Sequence, residues 1–85
     1  MTAMPENATL ALSLAGRDKD QLLAVVREDE HGVWLADGKR RPLENPKCKN
    51  PRHIRLLPDG ISHEAMTTNR ALRRALRDYR EKHGI

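Results

Sequence analysis

Apolar and polar positions alternate through the first half of the chain, and the period changes near its end. Met1 to Asn7 is a polar lead-in with Pro5 and no periodicity, expected to fray. Across Ala8 to Ala15, Leu10, Leu12 and Leu14 alternate with small residues, the two-residue period of a half-buried strand. Gly16 breaks the run and Arg17-Asp18-Lys19-Asp20 reads as a charged turn. Gln21 to Glu28 predicts a second strand, helped by the β-branched pair Val25 and Val26. Asp29 to Gly32 predicts a hairpin turn with Gly32 at positive φ, Val33 to Ala36 a third strand, and Asp37-Gly38 a tight turn.

Beyond Lys39 the pattern loosens. Arg40 to Leu43 predicts a short fourth strand that Pro42 confines to an edge, and Glu44 to Pro51, with Pro46 and two asparagines, a loop. Arg52 to Leu57 predicts a fifth strand, with Ile54 and Leu56 on one side and His53 and Arg55 on the other, ended by Pro58-Asp59-Gly60. Short strands joined by tight turns suggest a small barrel, because closure removes the exposed edges of an open sheet.

After Thr67-Thr68 the apolar positions fall at Leu72, Ala75, Leu76 and Tyr79, the spacing of a helix. The expected helix runs from Thr68 to Lys82, with Thr68 as N-cap and Gly84 as C-terminal stop. At roughly 100° per residue the apolar set covers one side, and Arg70, Arg73, Arg74, Arg77 and Arg80 share an arc of about 120° opposite it. One face of this helix can dock on the sheet, and the other is nearly pure arginine.

Charge sharpens this picture. The 85-residue chain has a net charge of +4, but its two signs are sorted along the sequence. Lys39 to Arg55 holds seven basic residues against Glu44, and Asn69 to the end holds six against Asp78 and Glu81. The segments between and before them are acidic. Two basic blocks in an otherwise acidic chain favour a polyanionic partner such as nucleic acid over a merely solvated surface. The apolar runs are too short for a membrane helix, so no membrane partner is expected. The first residues lack the pattern of a secretory signal. Cys48, the single cysteine, cannot form an internal disulfide, and a reducing cytoplasm is the expected compartment. Two candidate ligands, Cys48 and His53, do not make a metal site, and no nucleophile, base and acid fall at readable spacing. The expectation is therefore a non-enzyme without metal, cofactor or small-molecule substrate.

Two stretches also carry a resemblance. Leu14-Ala15-Gly16-Arg17-Asp18-Lys19-Asp20, preceded by an alternating strand and followed by Leu-Leu-Ala-Val-Val, resembles the KOW motif. So does Trp34-Leu35-Ala36-Asp37-Gly38-Lys39-Arg40-Arg41-Pro42-Leu43, followed by Asn45 to Ile54. Together, over about Leu10 to Leu57, they are similar to the small bacterial KOW-domain RNA-binding proteins, relatives of the KOW ribosomal proteins of the archaeal and eukaryotic large subunit. The resemblance implies an SH3-like five-stranded barrel over residues 8–60, a C-terminal amphipathic helical extension over 61–85, and RNA binding, usually ribosomal. The chain departs from the family at Asp20, where a glycine is usual.

On the residues alone, Gly16 to Lys19 is an ordinary polar turn in which Asp18 offsets Arg17. With the resemblance it becomes a loop that offers Arg17 and Lys19 to phosphate. Lys39, Arg40, Arg41, Lys47, Lys49 and Arg52 flank one proposed loop and would neutralise phosphates. Asn45, Asn50 and His53 have the hydrogen-bonding groups to meet base edges or 2′-hydroxyls. Arg70, Arg73, Arg74, Arg77 and Arg80 extend the footprint along the helix. Trp34 is either core or a base-stacking platform. The expected partner is structured RNA, ribosomal by resemblance, with the ribosome as its setting. The other reading is a protein-interaction adaptor of the transcription or translation machinery.

Overall fold

The computed structural model describes residues 7–84, so Met1 to Glu6 of the expected lead-in lie outside the described residues. The alternating run becomes β1 (Asn7–Ser13), antiparallel to β2 (Leu22–Asp29) with Leu10 opposite Ala24 and Leu12 opposite Leu22. β3 (Gly32–Ala36) pairs with β2, β4 (Lys47–Lys49) with β3, and β5 (Ile54–Ser62) returns to pair with β1. The protein is thus mainly β: a five-stranded antiparallel sheet of order β4-β3-β2-β1-β5, followed by one C-terminal helix, α1 (Asn69–His83).

Both faces of the sheet bury apolar side chains. Ala8, Leu10, Leu22, Ala24, Ala36 and Ile61 lie beneath Leu72, Leu76 and Tyr79 of α1. The helix therefore completes the core of the sheet and is not a separate appendage. Ala11, Leu23, Val33, Leu35 and Ile54 form a second cluster to which α1 contributes nothing. The sheet has to curl around this second cluster to exclude water from it, and register shifts supply local bends. β2 shifts against β3 between Val25 and Arg27, and β1 against β5 between Thr9 and Ala11. The curl stops short of the closed barrel expected from the sequence: β4 and β5 are the two ends of the sheet and do not pair.

Two strands differ from expectation. Arg40 to Leu43 is not the fourth strand, because its backbone groups serve a turn. Asp37 Oδ1 accepts the N–H groups of Lys39 (2.8 Å) and Arg41 (2.9 Å), and the Arg41 carbonyl accepts those of Asp37 and Gly38. Pro42 has no N–H, and that of Leu43 goes to the Asn69 side chain at 2.8 Å. The ladder resumes at Lys47–Lys49, inside the expected loop. The fifth strand starts at Ile54 because Pro51–His53 forms a 3₁₀ turn capped by Asn50. It does not end at Pro58-Asp59-Gly60. The chain bulges there on an edge strand, where a missing N–H is tolerated, and re-enters the ladder with Gly60 opposite Thr9.

The ends of α1 follow the sequence reading closely. Thr68 caps the first turn by accepting the Ala71 N–H at 3.0 Å, and Gly84 ends the helix in the left-handed conformation, its N–H reaching the Arg80 carbonyl. Among the described residues no helix is long and apolar enough to cross a membrane.

Candidate nucleic-acid interface

The arginine-bearing flank of α1 forms one wall of a groove of about 690 Å³. Arg70, Arg73, Arg74, Arg77 and Arg80 line it from the helix, and Gln21, Asp37 and Lys39 from the sheet side, with Leu22 and Leu76 contributing apolar surface. None of the ion pairs among the described residues engages a helix arginine. The groove thus gathers six cations around one carboxylate, Asp37. From Arg70 to Arg80 the helix rises about 15 Å, the axial length of roughly four phosphates of one duplex strand.

The opposite wall is bolted in place. Asn69, at the start of α1, accepts the Leu43 N–H through Oδ1 and donates through Nδ2 to Glu44 Oε2 at 2.9 Å. Gly38 has a φ of +80° and lies against the Asn69 carbonyl, with a would-be Cβ 3.1 Å from Arg73 Cγ. A side chain at Gly38 would wedge the turn off the helix. Lys39 is thereby held at the rim of the groove, exposed, and Arg40 and Arg41 are exposed on the same turn.

A second polar cluster fixes the loop between β1 and β2. Lys49 is only 8% exposed. Its ammonium donates to Ser13 Oγ (2.7 Å), to the Ala15 carbonyl (2.8 Å) and to Asp18 Oδ1. Lys47 stands 3.9 Å from the other Asp18 oxygen. Burial acts to raise the pKa of the Asp18 carboxyl, but hydrogen bonds from Lys49 and Ser13 and the charges of Lys49 and Lys47 outweigh it, leaving the group below its ordinary value.

This corrects two expectations. Lys49 is not a surface cation for phosphate, since β4 aims it at the inside of the loop, opposite Val33. Asp18 serves Lys49, and does not offset Arg17. Arg17 and Lys19 remain exposed on the outside of the loop. Asp20 takes a φ of +69°, keeping with a tolerant residue the left-handed geometry that glycine adopts freely. The loop rests on the 3₁₀ turn through the Leu14 N–H and the His53 carbonyl, 2.8 Å apart. That turn presents Arg52 and His53 to solvent; the exposed Asn50 accepts the Arg52 N–H through Oδ1, and its NH₂ has no partner among the described residues. Arg80 donates to the Asp20 carbonyl at 3.5 Å, which ties the arginine row to the loop that carries Arg17 and Lys19.

Trp34 is half-buried and away from the groove. Its indole N–H donates to Asp29 at 2.8 Å, and the Arg27 guanidinium stacks 4.5 Å from the ring centroid, covering one face. Cys48 is half-buried with its thiol 3.6 Å from the His31 carbonyl.

Sequence reasoning placed the helix arginines and Lys39 but missed Gln21, Asp37 and Asn69. Asp37 had a visible signal, as the turn former before Gly38. Asn69 had none, because its partners lie some 25 residues away. Neither a family model nor a curated protein matches this chain.

Proposed function

We propose that the protein is a non-catalytic RNA-binding module of the KOW type, working in the cytoplasm on structured, ribosomal RNA. The observation that carries this reading is the groove beside α1, where six cations converge and the helix arginines have no acidic partner among the described residues. Arginine suits the role because its planar fork holds phosphate bidentately. Arg17, Lys19 and Arg52 add exposed cations on the β1–β2 loop, which Arg80 reaches, and on the 3₁₀ turn that the loop rests on. An SH3-like barrel is supported by a meander whose last strand returns to the first and by a second buried cluster to which α1 contributes nothing. Binding in this account is electrostatic positioning of the RNA backbone, with no bond made or broken.

The test is the double variant Arg73→Gln, Arg77→Gln. Both side chains are exposed and glutamine keeps helix propensity, so the thermal midpoint should hold while affinity for RNA falls at least tenfold. Unchanged affinity refutes the groove as the interface. A parent that binds no RNA at low salt refutes the RNA reading and favours the protein-adaptor one.

A further inference from the structure

We infer that the arginine groove selects RNA over DNA through Asp37, whose free carboxylate oxygen accepts the 2′-hydroxyl of a ribose. The inference rests on the nucleic-acid reading of the groove and specifies the chemistry of its ligand. A carboxylate is the wrong sign for a groove that only neutralises phosphates, and Asp37 is the one acid that lines it. The turn does not require the charge. Oδ1 alone accepts the Lys39 and Arg41 N–H groups, at 2.8 and 2.9 Å, and an uncharged asparagine or serine can cap such a turn as well.

Oδ2 has no hydrogen-bond or ion-pair partner among the described residues. An ionised carboxylate oxygen only accepts, so a ligand group that takes the place of water on it has to be a donor. Phosphates have none. Base donors depend on sequence, whereas every ribose offers the same hydroxyl, the group by which a protein tells RNA from DNA. Gly38 and Asn69 hold the turn against α1, so this acceptor stands at a fixed place opposite the arginines that would take the flanking phosphates. Phosphates on one wall and a sugar hydroxyl on the other describe a groove that grips the ribose–phosphate backbone without reading sequence.

Asp37→Asn gives a clean test. The two backbone N–H groups demand an acceptor, so the amide oxygen takes the place of Oδ1 and the NH₂ replaces Oδ2, turning an acceptor into a donor. Affinities would be measured by fluorescence anisotropy for a short oligoribonucleotide, the deoxy-oligonucleotide of the same sequence, and the 2′-O-methyl oligoribonucleotide, which cannot donate. The parent should prefer the ribo-oligonucleotide about tenfold over both others, and the variant should bind all three within about twofold. Asp37→Ser, capping the same turn, should reproduce the loss of preference. Equal binding of all three by the parent overturns the inference while leaving nucleic-acid binding intact. So does a variant that gains affinity for all three equally, which would make Asp37 a turn former alone. Binding of none of them by the parent overturns the RNA reading as well.

Discussion

Asp18→Asn isolates the ion pair that holds the β1–β2 loop. The substitution keeps shape and an acceptor for Lys49 but removes the charge, leaving an ammonium that is 8% exposed with only neutral partners, Ser13 and the Ala15 carbonyl. Breaking a buried pair from one side costs about 3–5 kcal/mol. The Asp18 side chain is 18% exposed, so water softens the loss and about 3 kcal/mol is expected. At roughly 0.05–0.15 kcal/mol per residue, that is a large fraction of the stability of so small a domain. Lys49→Met should cost less, because Asp18 keeps Ser13, Lys47 and partial solvation. The double variant should lose at least about 1 kcal/mol less than the two single losses combined. Urea unfolding followed by Trp34 fluorescence reads all three, with an unchanged slope showing that only stability has moved. The Asp18 carboxyl is held below its ordinary value of 3.8, so its contribution is complete above that pH and disappears as pH falls below it, through the lower folded value. The variant should therefore show a flatter fall of stability below about pH 4. A cost under about 0.5 kcal/mol for Asp18→Asn, or strictly additive single losses, refutes the reasoning.

Three further outcomes follow from the backbone and the core. Gly38→Ala should cost about 2 kcal/mol or more in thermal unfolding, from the left-handed φ and the collision with the Asn69 carbonyl, and should weaken RNA binding by displacing Lys39. Asp20→Gly should leave stability within about 0.5 kcal/mol of the parent or raise it, since relief of the left-handed conformation offsets the entropy of glycine, whereas Asp20→Val should lower it by about 1–2 kcal/mol. Leu72→Ala, at a fully buried position between α1 and the sheet, should cost about 3 kcal/mol and take the helix signal with it in a single circular-dichroism transition.

What the sequence made legible was local. The alternation of Leu10 and Leu12, the Asp37-Gly38 turn, and the Thr68 and Gly84 caps each depend on neighbours within a few positions, and they appear where expected, whereas Leu14, expected to continue the alternation, lies beyond β1 and is exposed. What it hid was set by partners far along the chain. Arg40 to Leu43 has the residues of a strand, but Asp37 and Asn69 claim its N–H groups. Lys49 looks like one more cation in a basic block, yet its partner Asp18 lies 31 residues away. Strand period distinguishes it from Cys48 only once β4 is known to pair with β3, which sets Lys49 opposite the buried Val33. The bulge that carries β5 past Pro58 is invisible for the same reason, because it exists only against β1.

The most direct test of the central claim is the salt dependence of RNA affinity in the parent and in the triple variant Arg70→Gln, Arg74→Gln, Arg77→Gln. If about 4–6 phosphates are neutralised, log K should fall against log salt with a slope near −3 to −5 in the parent. Removing three groove cations should make that slope shallower by about 2, at about 0.7 per phosphate contact on a single strand. A parent affinity indifferent to salt, or a triple variant with the slope of the parent, contradicts the account.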